Sequence, residues 1–119
     1  VDEHHAHREA PASNLSAALA RITEAYSPRT VARVNDYEVR VARLQGAFDW
    51  HEHTRTDEFF MCLSGEFVLQ VQLDTGLEEI HMGVGDIFVV PKGVKHRPVA
   101  KDIAEVLLFE PADTINTGD

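Results

Sequence analysis

His51-Glu52-His53-Thr54-Arg55-Thr56-Asp57-Glu58, read together with His96 after Pro91-Lys92-Gly93, decides how this chain folds. Side chains two apart on a β-strand leave from one face, so His51 and His53 can reach a single ion together. Glu58 has the wrong parity to join them along one continuous strand. The polar run from Thr54 to Asp57 can turn the chain, however, and let Glu58 begin a new strand that faces back. His96 lies far downstream and can contribute only if the sheet folds over itself, as closed or double-sheet β architectures do. Three imidazoles and a carboxylate at these spacings point to a metal site inside a β-barrel.

The rest of the sequence supports such a barrel. After Pro28, short apolar runs alternate with turn residues: 30–34, 38–44, 48–53, 58–63, 66–73, 77–81, 87–90, 97–100 and 103–109. This spacing predicts nine strands in an all-β sandwich or barrel. Phe67, Leu69, Val71 and Leu73 occupy one face and Val68, Gln70 and Gln72 the other, a period of two. Ser64-Gly65-Glu66, Asp74-Thr75-Gly76 and Met82-Gly83-Val84-Gly85-Asp86 supply turns. Ahead of the strands, Leu15, Leu19, Ile22 and Tyr26 recur at helical spacing after a capping Ser13 or Asn14, and Ser27-Pro28 ends the pattern. A short amphipathic helix is expected to pack on the outside of the domain. Residues 1–12 are polar and aperiodic, a mobile arm whose His4, His5 and His7 offer adventitious metal affinity. The expected organisation is therefore an arm and helix over 1–27 and a barrel with a C-terminal tail over 28–119.

Length and charge narrow the function. A chain of 119 residues is one domain's worth. Cys62 is its single cysteine, which excludes an intramolecular disulfide, and the chain has neither a secretory apolar region nor a membrane-length apolar run. A reducing cytoplasm is the expected home. The net charge is −9, with six basic and seven acidic groups in residues 1–49 but five and thirteen in residues 50–119. That balance argues against nucleic acid or an anionic membrane as a partner.

Two motifs in this chain resemble those of the cupin superfamily. The first is Gly46-x4-His51-x-His53-x4-Glu58-x6-Gly65; the second is Gly85-x5-Pro91-x-Gly93-x2-His96-x3, with Ala100 where an asparagine is usual. The resemblance implies a cupin double-stranded β-helix, or jelly-roll barrel, with a short N-terminal helix, often dimeric. It also implies that His51, His53, Glu58 and His96 hold one divalent transition metal. The wording of the core further resembles small bacterial cupins of the mannose-6-phosphate isomerase-like group, a fold relationship that says little about substrate.

Imidazole and carboxylate donors suit Fe, Zn, Mn or Ni, and four protein ligands on an octahedral ion leave two positions open. A small polar molecule is the expected ligand or substrate. The expected activity is that of a metal-dependent enzyme, with oxygenase and sugar isomerase-like chemistry both open, and a non-catalytic binding or sensing module is the alternative. Cys62 should point inward with Glu58 and Phe60, as a small buried hydrophobe. Phe48 and Trp50 fall on the opposite parity from His51 and His53 and are expected on an outer face or a subunit contact. Arg43 is expected at the surface more than in the barrel; Lys92, Lys95 and Arg97 are expected around a solvated turn, and His81 on a strand surface.

Overall fold

The computed structural model describes residues 12–119, so the histidines of the N-terminal arm lie outside the described residues. One short helix is followed by seven strands: α1 (Leu15–Leu19), β1 (Arg29–Val34), β2 (Tyr37–Ala47), β3 (Glu58–Ser64), β4 (Glu66–Leu73), β5 (Gly76–Gly83), β6 (Ile87–Val90) and β7 (His96–Pro111). All pairings are antiparallel. No helix among the described residues is long and apolar enough to cross a membrane.

β7 organises the molecule. Its C-terminal part lies between β2 and β3 in the order β1-β2-β7-β3-β6, while its first residues, His96 to Val99, pair with β4, which in turn pairs with β5, and Val99 keeps its pairing with Ala47 of β2. One long strand thus serves both sheets. The change of sheet is made where the β2–β7 register slips: Leu44 pairs Ala104, but Gly46 pairs Ala100. Such a bulge bends the strand and increases its local twist. Gly46 sits there at φ +78°, a left-handed conformation that glycine adopts without the Cβ clash. Gly65 is constrained twice, by φ +70° and by the backbone of Ile103, which a Cβ would meet at 2.6 Å.

Nine predicted strands become seven for two physical reasons. The runs 97–100 and 103–109 are one continuous strand, bent rather than broken. The run 48–53 is not a strand at all, since only the isolated bridge His51↔His96 pairs it with the sheet. The helix is also shorter than its apolar period suggests. Asn14 caps it, with Ala17 N donating to its side chain at 2.9 Å, but it stops at Leu19. The carbonyls of Leu19, which also accepts from Ile22 N at 3.1 Å, and of Ile22 just beyond the helix accept from the guanidinium of Arg43 at 3.1 and 2.7 Å, so β2 holds the helix end. Arg43 is therefore a half-buried clasp between helix and barrel, also reaching Glu105 at 3.3 Å.

The core lies between the sheets. Strand alternation sends Glu58, Phe60 and Cys62 inward from β3 and Phe67, Leu69 and Val71 inward from β4, all buried. Cys62 joins this apolar cluster, with burial raising its thiol pKa, as expected of a small hydrophobe. The smaller cluster of Leu19, Ile22 and Val41 seats the helix on β2.

Candidate metal centre

His51, His53, Glu58 and His96 are all buried, and each offers one ligand atom within 4.8 Å of the others. Three different pieces of backbone deliver them. Glu58 opens β3 and pairs Val90; His96 opens β7. His51 and His53 ride an irregular segment whose course is set by that same β7 residue: His51 N donates to His96 O at 3.1 Å and His96 N to His51 O at 2.9 Å. The turn at Pro91-Lys92-Gly93 holds the other end, since Gly93 N donates to His53 O at 2.7 Å and Lys92 N to the Asp57 carboxylate at 2.9 Å. The two motifs thus fasten each other through main-chain hydrogen bonds. His51 and His53 do converge, as strand parity predicts, but on a loop rather than a strand.

The hydrogen bonding orients the rings. Nδ1 of His96 lies 2.9 Å from Val94 O, and Nδ1 of His51 lies 2.9 Å from Asp49 O. A carbonyl only accepts, so both Nδ1 atoms carry the proton, and in the neutral imidazole each Nε2 is left with a lone pair. Outer partners of this kind set tautomer and ring direction in metal-ligating histidines. His96 Nε2 lies 2.9 Å from Glu58 Oε1, and His53 Nε2 lies 3.1 Å from the same oxygen. The His53 contact misses the N–H direction, and neither ring nitrogen of His53 has a hydrogen-bond partner. Buried lone pairs facing a carboxylate repel unless a proton or a cation stands between them. Ligands ~2.1 Å from an octahedral ion stand ~3 Å apart along an edge, close to both distances to Glu58. The donor set and its spacing fit a divalent metal, and these residues could bind one.

Burial is the largest influence on the Glu58 carboxyl and alone would raise its pKa, but the close His53 and His96 rings outweigh it and hold the pKa well below the usual carboxylate range. Burial likewise lowers the pKa of His51, assisted by the neighbouring imidazoles and opposed by the Asp49 carbonyl and Glu58. Both shifts favour the forms that ligate: ionised carboxylate and neutral imidazole. Glu110, on the inward face of β7, was not legible as a site residue. It is fully buried and receives Arg40 on Oε2 at 2.7 Å, while its Oε1 has no partner. Burial and then the adjacent Glu58 push its pKa up to about 8. Arg40 also bonds Glu38 and the carbonyls of Ala112 and Thr114, tying the C-terminal tail to the barrel.

Two cavities flank the cluster. One, of about 110 Å³, is polar and reaches His53 between Arg55, Thr56, Asp113, Thr114 and Asp119. The other, of about 30 Å³, reaches His51 and Glu58 from within the barrel and is walled mainly by Leu44, Phe48, Phe60, Val106 and Leu108, with Tyr26 across it. Phe48 is therefore not on an outer face: it stacks on Tyr26 with centroids 4.6 Å apart and meets His51 edge-on at 5.3 Å. Its parity does not apply because the segment is not a strand. Trp50 is 41% exposed with the Arg97 guanidinium 5.0 Å over its ring. Arg97 also donates to Gln70 at 2.7 Å, so it faces away from the cluster. Lys92, Lys95 and His81 are exposed.

Comparisons with known proteins agree with this geometry. The Cupin domain family model matches residues 38–110. The uncharacterized protein YdbB of Bacillus subtilis (strain 168) is 33% identical over 84 residues, 71% of this chain and 72% of that protein. Among solved structures, a cupin-2 domain containing protein from Shewanella frigidimarina NCIMB 400 superposes with a TM-score of 0.74 at 35% identity, covering 82% of this chain and 92% of that one. A hydroquinone 1,2-dioxygenase in complex with Fe3+ has a TM-score of 0.77 at 21% identity, covering 87% of this chain and 33% of that one, a likeness of fold.

Proposed function

The chain belongs to the cupin family, and from that premise we propose that it is a metal-dependent enzyme of oxygenase type, acting on a small molecule at an ion held by His51, His53, Glu58 and His96. The observation that carries this reading is the convergence of the four donors, with Nδ1 of His51 and of His96 tied to carbonyls so that their Nε2 atoms are free to ligate. A bound redox-active ion such as iron would supply open positions for substrate and dioxygen. The protein holds the carboxylate ionised and fixes the tautomers of His51 and His96.

The inner cavity favours this chemistry over sugar isomerisation. A polyhydroxylated substrate needs polar partners for each hydroxyl, and an unpaired buried hydroxyl costs ~1–3 kcal/mol. Apart from the ligands, the polar side chains of the lining are Tyr26, whose hydroxyl donates to Gly46 O, and Asn116, which donates one amide hydrogen to Tyr26 O. The small polar molecule expected from the sequence suits only the histidine end of this space.

Elemental analysis tests the metal. The full chain carrying His4→Ala, His5→Ala and His7→Ala is expected to retain about one equivalent of metal after purification. Adding His51→Ala and His53→Ala should abolish it and lower the thermal midpoint. Stoichiometric metal in that variant would sink the assignment. Substrate-dependent oxygen uptake by the iron-loaded protein tests the reaction class, and no uptake across small phenols, diketones and thiols would favour a non-catalytic binding module.

A further inference from the structure

We propose that residues 112–119 form a strap that positions the candidate metal centre: they hold the loop carrying His51 and His53 in its ligating shape, so that docking of the strap and binding of a divalent ion reinforce each other. The grip of the strap on the loop rests on contacts within the chain. Its coupling to an ion rests on the metal reading above.

His53 is the donor whose orientation depends most on its backbone. The rings of His51 and His96 are aimed by bonds from Nδ1 to carbonyls, whereas neither ring nitrogen of His53 has a hydrogen-bond partner. The backbone that must aim it belongs to no strand. The barrel side supplies one tie, from Gly93 N to His53 O at 2.7 Å. Asp119 holds the residues on either side. Its N–H donates to Glu52 O at 3.3 Å, and its carboxylate accepts from Thr54 N at 2.6 Å and from Thr54 Oγ1 at 2.7 Å. Gly118 lies against the same stretch: at φ +130°, a Cβ there would meet Glu52 O at 3.2 Å and His51 Cβ at 3.7 Å. Glycine permits so close an approach.

The strap is itself anchored to the barrel. The Arg40 guanidinium donates to Ala112 O at 2.7 Å and to Thr114 O at 2.9 Å, and Asn116 Nδ2 donates to Tyr26 O at 3.0 Å. Arg40 also donates to Glu110, the carboxylate behind Glu58, at 2.7 Å. One end of the strap is thus tied to the surroundings of Glu58 and the other to the flanks of His53. Metal sites hold their ligand distances to within ~0.2 Å. A loop that keeps the ligating shape for only part of the time binds with an affinity reduced by that fraction. Whatever holds the loop in shape therefore strengthens binding, and by linkage a bound ion must in turn tighten the strap.

Zinc, a diamagnetic divalent ion, serves as the probe, titrated against a competing chelator into the full chain carrying His4→Ala, His5→Ala and His7→Ala, with amide exchange followed by NMR. Asp119→Ala is expected to weaken zinc binding by about fivefold or more. Asp119→Asn, which keeps an acceptor oxygen for Thr54, should weaken it less. Zinc should also slow exchange of the Thr54 and Asp119 amides in the parent chain, and Asp119→Ala should abolish the slowing at Thr54, effects that a merely structural contact would not show. An affinity unchanged by Asp119→Ala, or Thr54 and Asp119 amides that exchange equally fast with and without zinc, overturns the coupling. If the parent chain binds no zinc, the metal reading fails separately, and the strap is judged on the metal-free protein. There Asp119→Ala should speed exchange of the His51 and Gly93 amides, which are bonded to His96 O and His53 O. Unchanged exchange at both amides shows that the loop keeps its shape without the strap, and the inference is lost.

Discussion

The two cavities beside the ligand cluster differ in almost every physical respect although a few side chains separate them. The inner one is bounded by Leu44, Phe60, Val106 and Leu108 on strands β2, β3 and β7; the outer one is bounded by Arg55, Thr56, Asp113 and Asp119 on loops and the C-terminal tail. Strand walls alternate, so one face must be apolar to form the core, whereas loop walls have no such obligation. His51, His53, Glu58 and His96 therefore stand between an apolar-walled space and a wet, polar one.

Substitutions can break or sharpen this contrast. The largest effect is expected on the apolar side: Phe60→Ala removes a buried ring that packs near His96 at 6.0 Å and should cost ~3–5 kcal/mol of unfolding free energy in denaturant titration. Next comes Glu110, buried just behind the boundary. Its pKa is raised above its unfolded value, so the native state holds an extra proton between roughly pH 4.5 and 8. Stability of the metal-free protein should therefore fall as pH rises through that window. Glu110→Gln keeps the shape without the titration, so the difference in thermal midpoint between the variant and wild type should grow from pH 5 to pH 8. A pH-independent difference would remove the carboxyl from this account. The smallest effect belongs to the wet side. Arg55 and Asp113 are 71% and 76% exposed and 3.9 Å apart, and Arg55→Ala should change stability by less than ~0.5 kcal/mol and leave metal content unaltered.

Much of the site was legible before any fold was known, because it is carried by spacing. His51 and His53 two apart, Glu58 past a polar turn and His96 after Pro91-Lys92-Gly93 are local facts, and all four converge. Phe48, Tyr26 and Glu110 were not legible for the opposite reason. Phe48 was assigned by parity along a strand that does not exist. Tyr26 belongs by periodicity to a helix that ends at Leu19, and the carbonyls at and just past its end are held by Arg43 from a distant strand. Glu110 has no neighbour in sequence to suggest that it faces Glu58. The one available signal was alternation along β7, which sends it inward with Val106 and Leu108.

By itself the sequence determined the family, the all-β class and which four residues converge, since these follow from periodicity and from residue types at short, fixed separations. Only the tertiary structure decided which space each of the four residues faces, which aromatics line the pocket beside His51 and Glu58, and which carboxylate lies behind Glu58. Those properties depend on pairings between residues far apart in the chain, on where β7 bends from one sheet to the other, and on burial, which no local pattern encodes.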